Sequence, residues 1–320
     1  MKILYIYRDY KGRRKDYGTM MEKCGHKVYY LVILEKKIKN QVTSKHIKKY
    51  NPDLVWLYSP YYLSYKVISD EAISYLKSKK IPIVLYGTVL PIESWTEQFW
   101  FWKKIDFLFI HDKNLYKFLK RKKLNTYYVP LGFYPNQYYK IISPKKKWDI
   151  SFMGTAQTAV SVKNDKRVKY LNALSSFNIG IYGESFKNRI SKIKIMSFRG
   201  HEIQRKIYGK TKINLDLPFD NCKNLFYKKY YYFKNRFFEI PATGNFLLTA
   251  RCPEFLEIFG EDTIGYYDDN IESLKESVKK YLKDEELRKK MARKSYKLVH
   301  EKYTFLHRFK EMFVIIEKFL

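Results

Sequence analysis

Short apolar segments rich in Ile, Leu, Val, Tyr and Phe recur along this chain, and polar or amphipathic stretches separate them. In the first half the apolar segments are Lys2–Tyr7, Val28–Ile33, Leu54–Tyr58, Ile83–Tyr86, Phe107–Ile110 and Tyr127–Val129. In the second half they are Asp149–Met153, Ile179–Tyr182, Ile213–Leu217, Phe246–Leu248 and Ile264–Tyr266. Continuous apolar strands that alternate with helices form parallel sheets covered on both faces. The pattern therefore predicts an α/β protein with two doubly wound, Rossmann-like domains.

The two halves begin alike, since each opens with an apolar strand followed by a polar, glycine-containing loop. The chain has 320 residues, about twice the ~150 expected of one domain. A linker rich in proline and lysine runs over Pro130–Lys147. We predict domains at residues 1–140 and 141–304, facing each other across a cleft. A last helix over residues 305–320 is expected to pack back on the first domain.

Three features predict a soluble, cytoplasmic protein. No apolar run is long enough for a transmembrane helix. The N-terminal segment reaches the charged Arg8 and Asp9 too early for a signal-peptide core. Cys24, Cys222 and Cys252 are widely spaced and fit reduced thiols in a cytosolic protein.

The chain is strongly basic, with 63 Lys and Arg against 32 Asp and Glu and a net charge of +31. Such an excess attracts anions, including nucleotides, acidic lipids and nucleic acid. A lysine-rich composition set by the genome or habitat explains it equally well. Charge alone therefore does not select a partner.

Two segments bear on the partner. Trp95, Phe99 and Trp102 are spaced as on one helical face, and Lys113–Lys123 is basic, so the first domain could rest peripherally on an anionic inner membrane and reach a lipid-linked acceptor. A core-facing stripe beside a solvated basic helix is the simpler interpretation. Phe226–Lys234 interleaves aromatic residues with lysines, as base-stacking proteins do, but its position favours a role in shaping the site that follows.

The most informative segment runs from Asn235 to Thr249. It predicts a short helix carrying Glu239, a helix end near Gly244, and then a buried strand; Pro241 places Glu239 near the helix start or a bend. Arg236 and Glu239 are three residues apart and share one helical face. A carboxylate there can accept both hydroxyls of a ribose, and an arginine can hold a diphosphate. An ordinary surface ion pair between Arg236 and Glu239 is the alternative.

Arg236-x-Phe238-Glu239-x-x-Ala242-x-Gly244 resembles the donor-site segment of group 1 glycosyltransferases, and most closely their spore-maturation (CgeB-like) branch. The similarity extends over nearly the whole chain; it is diffuse in the first domain and sharpest at residues 235–305. It implies the GT-B fold and metal-independent transfer of a sugar, expected to be a hexose, from a UDP- or GDP-linked donor, with no further cofactor. The acceptor would be a saccharide, a lipid-linked saccharide or a protein.

The resemblance also implies roles for individual residues. Glu239 would bind the donor ribose, Arg236 would face the diphosphate during catalysis, and Gly244 would let the backbone pass close to the donor. Residues 197–201 resemble the segment that reads the base. The other expected donor-binding residues are Gly154, Thr155, Arg167, Gly183, Glu184, His201, Thr243 and Asn245.

The sequence departs from the family pattern at two positions. Tyr231 stands where many group 1 enzymes carry a first glutamate, and Tyr86-Gly87 occupies the place of a histidine. His111 lies one strand later and is a candidate catalytic residue on the acceptor side, with a structural role as the alternative. The other expected acceptor-side residues are Arg8, Asp9, Gly12, Tyr86 and Gly87.

No Asp-x-Asp motif occurs and no His/Cys cluster has metal-ligand spacing, so we expect no metal. Two other functions remain open. One is a sugar-nucleotide epimerase on the same fold, which would need catalytic carboxylates and histidines that we do not find. The other, less favoured, is a nucleic-acid-binding protein or a glycosyltransferase acting on DNA.

Overall fold

The computed structural model describes residues 1–8, 15–33, 42–58, 67–87, 95–141, 145–156, 165–190, 193–198, 200–218 and 234–320. They form two compact units. The first comprises Met1–Leu131 and Phe305–Leu320, and the second comprises Gly132–Thr304.

The first unit is built on a parallel sheet with the strand order β2-β1-β3-β4-β5-β6. Its strands are β1 (Lys2–Arg8), β2 (Lys27–Ile33), β3 (Leu54–Tyr58), β4 (Ile83–Gly87), β5 (Phe107–Ile110) and β6 (Thr126–Tyr128). The helices between them are α1 (Lys15–Lys23), α2 (Ser44–Tyr50), α3 (Asp70–Ser78), α4 (Trp95–Trp102) and α5 (Lys113–Arg121). Residues 3–7 of the inner strand β1 are buried, because helices cover both faces of the sheet.

The second unit repeats this plan with the strand order β12-β11-β10-β7-β8-β9. Its strands are β7 (Trp148–Met153), β8 (Ile179–Tyr182), β9 (Ile195–Met196), β10 (Thr211–Leu215), β11 (Leu247–Ala250) and β12 (Gly265–Tyr267). Its helices are α6 (Lys166–Ala173), α7 (His201–Gly209), α8 (Arg236–Ala242), α9 (Pro253–Phe259), α10 (Ile271–Lys283) and α11 (Glu285–Lys302). The predicted pair of doubly wound, Rossmann-like α/β domains is confirmed.

The last helix, α12 (Phe305–Glu317), belongs to the first unit. Its buried residues recur every three or four positions, as expected of an amphipathic helix. Phe309 packs against the Trp56 ring at 5.3 Å between centroids, and Phe305 lies 5.2 Å from Tyr17 on α1. The helix thus covers one face of the first sheet.

The aromatic stripe on α4 faces the core in the part that can be described. Trp102 is buried, and Phe99 packs against the core of the first unit. Trp100, outside the predicted stripe, is exposed, and Lys103 lies over its ring at 4.4 Å. On the basic segment, residues 120–123 are exposed. Among the helices of the described ranges, none combines the length and apolarity required to cross a bilayer.

Candidate active site

Helix α8 carries the segment that the sequence analysis singled out. Glu239 lies in its first turn, and Pro241 lies inside the helix. Gly244 follows with φ +74°, a left-handed conformation that suits glycine. Its N–H donates to the Pro241 carbonyl at 2.8 Å and the next N–H reaches the Ile240 carbonyl at 3.5 Å, which is the Schellman pattern of a helix end. The predicted short helix, its glycine end and the buried strand after it are confirmed.

The Glu239 side chain is buried within the second unit, with 7% of the residue exposed. Burial raises the pKa of its carboxyl to about 7, because a carboxylate loses hydration there. A hydrogen bond from Tyr138 and the positive charge of Arg236 act in the opposite direction. Glu239 is therefore poised between its neutral and charged forms near neutral pH.

A hydrogen-bonded network surrounds this carboxylate. Gln204 on α7 donates from Nε2 to Glu239 Oε2 at 3.3 Å and to the Tyr208 hydroxyl at 2.7 Å. The Tyr138 hydroxyl donates to Gln204 Oε1 at 2.7 Å and lies 2.7 Å from His201 Nδ1. His201, expected at the donor site, is thus linked to Glu239 through Tyr138 and Gln204.

Arg236 begins α8 and points towards the carboxyl ends of the strands. Its Nη1 donates to the Met153 carbonyl at the end of β7 and lies 3.5 Å from Asp216 Oδ1. Lys234 also binds Asp216, with its Nζ 2.9 Å from Oδ1 and 3.0 Å from Oδ2. Burial lowers the pKa of Lys234 to about 7, although Asp216 favours the charged form. Two basic side chains therefore converge on one buried carboxylate.

These contacts exclude a surface ion pair between Arg236 and Glu239. Arg236 pairs with Asp216, whereas Glu239 bonds to Gln204 and Tyr138. Glu239 is buried, and the Arg236 side chain is 19% exposed. The surface-pair interpretation of this spacing was wrong.

Gly154 and Gly183 follow the neighbouring strands β7 and β8, and their backbones nearly touch. The Gly154 N–H donates to the Tyr182 carbonyl at 3.0 Å, and a Cβ on Gly183 would lie 1.9 Å from the Gly154 carbonyl oxygen. A Cβ on Gly154 would lie 3.6 Å from Arg236 Nη1. The structure thus brings this glycine loop and Arg236 together.

Thr155 and Glu184 lie in the same region. The Thr155 side chain is exposed, and Glu184 begins a 3₁₀ turn over residues 184–186. Ser185 in that turn accepts a hydrogen bond from the Ala156 N–H at 2.7 Å. The turn after β8 therefore supports the loop after β7.

Arg167 on α6 lies below this loop rather than on its surface. It is 3% exposed and donates to the carbonyl of Thr155 at 2.7 Å and to those of Leu217 and Pro218 at 3.2 Å. One planar guanidinium therefore ties together the chain segments that leave β7 and β10. This geometry suits a residue that holds the loops in place.

Thr243 and Asn245 are buried and bond to each other. Asn245 Nδ2 donates to Thr243 Oγ1 at 2.9 Å, and Thr243 Oγ1 donates to the Ile240 carbonyl at 2.7 Å. Lys146 donates to Asn245 Oδ1 at 3.3 Å. Both side chains stabilise the turn between α8 and β11.

The acceptor-side residues that can be described lie in the first unit. Tyr86 and Gly87 end β4, and His111 directly follows β5. His111 is 3% exposed, and burial lowers its pKa to about 4, so the imidazole is neutral at pH 7. Within the described ranges, His111 Nδ1 and the Tyr86 hydroxyl are buried without a hydrogen-bond partner. Arg8 ends β1, whereas Asp9, Gly12 and Tyr231 lie outside the described residues.

Three polar residues of this site, Tyr138, Gln204 and Asp216, were not predicted, and Lys234 was included only as the end of the Phe226–Lys234 segment. Asp216 follows a buried strand and Lys234 precedes Arg236 by two residues, so their positions offered a signal. Tyr138 and Gln204 offered none, because the fold brings them to Glu239 from distant segments. Among the residues with described positions, no group of three His, Cys, Asp or Glu side chains could hold a metal ion.

Residues 166–313 match the profile of a family described as glycosyl transferase-like. No curated protein matches the sequence.

Solved structures of glycosyltransferases resemble the chain over nearly its whole length. Sucrose-phosphate synthase from Thermosynechococcus elongatus has a TM-score of 0.69 at 11% identity, with 100% of this chain and 99% of that chain covered. An alpha-glucosyltransferase in complex with UDP and a 13-mer DNA has a TM-score of 0.68 at 15% identity, with 99% of each chain covered. An Anabaena protein in complex with UDP-glucose has a TM-score of 0.66 at 12% identity, with 99% of this chain and 100% of that chain covered. Residues 166–313 thus match a glycosyl transferase-like family, and the chain as a whole has the GT-B architecture of these structures.

Proposed function

We propose that this enzyme transfers a sugar from a UDP-linked donor to a hydroxyl of a saccharide or lipid-linked saccharide, without a metal ion. The observation that carries the proposal is the convergence of Glu239, Arg236 and the Gly154 loop in the second unit. Gly154, Gly183 and Asp216 each follow a parallel strand, so they lie at one edge of the sheet. Ligands of open α/β sheets bind at this carboxyl edge.

Glu239 is the residue that we assign to the donor ribose. A carboxylate offers about four acceptor positions. The bonds from Gln204 and Tyr138 use at most two of them, which leaves room for the two hydroxyls of a ribose. The assignment requires the charged form of Glu239, and ligand hydroxyls that bond to the carboxylate would favour that form.

Arg236 is the residue that we assign to the diphosphate. Negative charge accumulates on the nucleoside diphosphate as the bond to the sugar breaks, so a cation held at that position stabilises the transition state more than the ground state. Arg236 lies beside the Gly154 loop, and Asp216 and the Met153 carbonyl hold its guanidinium there. Lys234 adds a second basic group behind it. Charge stabilisation by these side chains needs no metal.

On the acceptor side, the proposal rests on His111 and Tyr86. Neutral His111 and the Tyr86 hydroxyl are buried polar groups at the ends of neighbouring strands, and each could exchange a hydrogen bond with an acceptor hydroxyl. We also propose a cytoplasmic location, with peripheral contact to anionic lipid for a lipid-linked acceptor. The Arg236–Gly244 motif supports a place in the spore-maturation branch.

The test is calorimetric titration of UDP and GDP into the wild type, Glu239→Gln and Arg236→Ala. Charged hydrogen bonds are worth about 1.5–3 kcal/mol each, so Glu239→Gln should bind UDP at least about tenfold more weakly. Arg236→Ala should lower turnover more than affinity, and turnover of the wild type should persist in EDTA. Unchanged UDP affinity in Glu239→Gln would refute the site, and an EDTA-dead enzyme rescued by manganese would refute the metal-free chemistry.

A second candidate is transfer of the sugar to DNA. The net charge of +31 favours it, since basic surfaces bind the phosphate backbone. The test is incorporation of labelled glucose from UDP-glucose into DNA that contains hydroxymethylated bases. Salt-sensitive DNA binding that survives Glu239→Gln, without any sugar transfer, would instead indicate a nucleic-acid-binding protein.

A further inference from the structure

We infer that Tyr138 and Gln204 are positioning residues that fix the direction and the charge of the Glu239 carboxylate for nucleotide binding. The inference rests on the proposed function, because it concerns the same ribose site. Tyr138 lies between β6 and β7 and is 1% exposed, and Gln204 lies on α7. Neither belongs to the Arg236–Gly244 motif, and both reach Glu239 only through the fold.

The hydrogen bonds of Gln204 leave its amide a single orientation. Both Nε2 hydrogens are used, one towards Glu239 and one towards Tyr208. Oε1 must therefore accept, and it does so from the Tyr138 hydroxyl at 2.7 Å. Because both amide hydrogens and the amide oxygen of Gln204 are hydrogen-bonded, the amide cannot rotate without breaking several bonds. Gln204 thus holds Glu239 Oε2 in one place.

Tyr138 acts on the same carboxylate. Its hydroxyl has one proton, which Gln204 and Glu239 share as alternative acceptors. His201 Nδ1, at 2.7 Å, must then donate its own N–H to the Tyr138 oxygen. The direction of donation therefore runs from His201 to Tyr138 and from Tyr138 to either Gln204 or the Glu239 carboxylate. Each step favours the charged form of Glu239 over the neutral form.

Titratable and charged side chains surround Glu239 from the elements that pack against it. His201, Gln204 and Tyr208 come from α7, Tyr138 from the segment before β7, and Arg236 from the same helix. On the α11 side, His300 bonds to the Ala242 carbonyl at 3.2 Å. Asp216 and Lys234 lie beyond Arg236. Tyr138 and Gln204 are the neutral donors to Glu239 in this set, so their removal changes its charge without adding or removing an ion.

The experiment is a titration of UDP from about pH 5.5 to about pH 9, a range that spans the pKa of about 7 of the Glu239 carboxyl. The wild type is compared with Tyr138→Phe, and with Tyr139→Phe as the matched control. Tyr139 is the next residue, half exposed, and its ring stacks on Arg205, so the control loses the same hydroxyl away from Glu239.

We expect Tyr138→Phe to bind UDP about tenfold more weakly at pH 7, the loss that one hydrogen bond to a charged group predicts. The acid limb of the profile of UDP affinity against pH should move to higher pH in this variant, because loss of the hydrogen bond raises the pKa of Glu239. The alkaline limb, which reports loss of the Lys234 proton, should stay, since Tyr138→Phe leaves Lys234 unchanged. Tyr139→Phe should superimpose on the wild type.

A second variant, Gln204→Glu, keeps the size of the side chain and places a like charge beside Glu239. The two carboxyls then share a proton, so the acid limb should move further than in Tyr138→Phe. Tyr138→Phe and Gln204→Glu profiles that match the wild type would overturn the inference while leaving Glu239 as the ribose ligand. If Glu239→Gln itself binds UDP like the wild type, the proposed function fails, and this inference fails with it.

Discussion

Burial of Glu239 has a consequence for stability as well as for binding. The folded protein raises the pKa of this carboxyl from 4.5 to about 7, so it holds the proton more tightly than the unfolded chain does. The stability from this proton is fully present below pH 4.5 and is lost as the pH rises through about 7. Above about pH 7 the charged Glu239, which we assign to the ribose, therefore lowers the free energy of unfolding.

We therefore predict that Glu239→Gln becomes more stable than the wild type as the pH rises. The amide carries no charge at any pH, so above pH 7 the gain should approach about 3 kcal/mol, and below pH 4.5 it should vanish. Urea unfolding at several pH values measures it. Glu202→Gln is the control, because Glu202 is exposed and forms only a surface pair with Lys206. Equal pH dependence in the two variants would contradict the prediction.

The contacts of Arg167 are those of a residue that holds the loops of the site in place. Its three carbonyl partners predict that Arg167→Lys loses about 3 kcal/mol of unfolding free energy, since an ammonium cannot reach all three and leaves buried carbonyls unpaired. Arg293→Lys, exposed on α11, is the control. Denaturant unfolding and UDP titration are measured together. Full stability with lost UDP affinity would make Arg167 a ligand-binding residue instead.

At the scale of elements, the ends of β7 and β8 depend on glycine at position 183. A Cβ there would meet the Gly154 carbonyl at 1.9 Å, and backbone cannot move aside as a side chain can. We predict that Gly183→Ala costs about 3 kcal/mol and displaces the Gly154 loop, with loss of UDP binding. Gly87→Ala is the control in the first unit, because a Cβ there meets nothing within 4 Å. Thermal unfolding and UDP titration of both variants test the prediction. A Gly183→Ala variant that is as stable as the wild type and binds UDP would disprove the role of this close backbone contact.

The elements themselves were largely predictable from the sequence. Each predicted strand lies within two residues of an observed one, because buried parallel strands read as continuous apolar runs. Asp284 caps α11, where its side chain accepts from the Leu287 N–H at 2.8 Å, and a capping residue followed by two glutamates is a helix-start signal in the sequence. Strand β9 was missed because Ile195–Met196 is too short to form a pattern. Local signals thus located the elements and the motif on α8.

The surroundings of the motif were not predictable in the same way. The partners of Glu239 come from residues 138 and 204, and that of Arg236 from residue 216. Spacing along one helix suggested that Arg236 and Glu239 bind each other, but burial in the fold gives each a different partner. Whether a glutamate binds an arginine or a ligand depends on such distant contacts.

At the scale of the whole molecule, the net charge of +31 acts at long range, whereas Arg236 and Glu239 act at contact. A field of this kind raises the association rate of an anion and is screened by salt over about 10 Å at 0.1 M. Contacts at the site set the dissociation rate instead. The two contributions to UDP binding should therefore separate kinetically.

We predict that the association rate of UDP falls about tenfold between low salt and 0.5 M salt, while its dissociation rate changes little. UDP should dissociate faster from Arg236→Ala than from the wild type. Its association rate with this variant should depend on salt as it does with the wild type. Stopped-flow measurements of the UDP association and dissociation rates at several salt concentrations test the prediction. Uridine is the uncharged control ligand, and its association rate should not depend on salt. A UDP association rate as insensitive to salt as that of uridine would contradict the prediction. It would mean that the excess charge reflects composition and does not steer the nucleotide to Arg236 and Glu239.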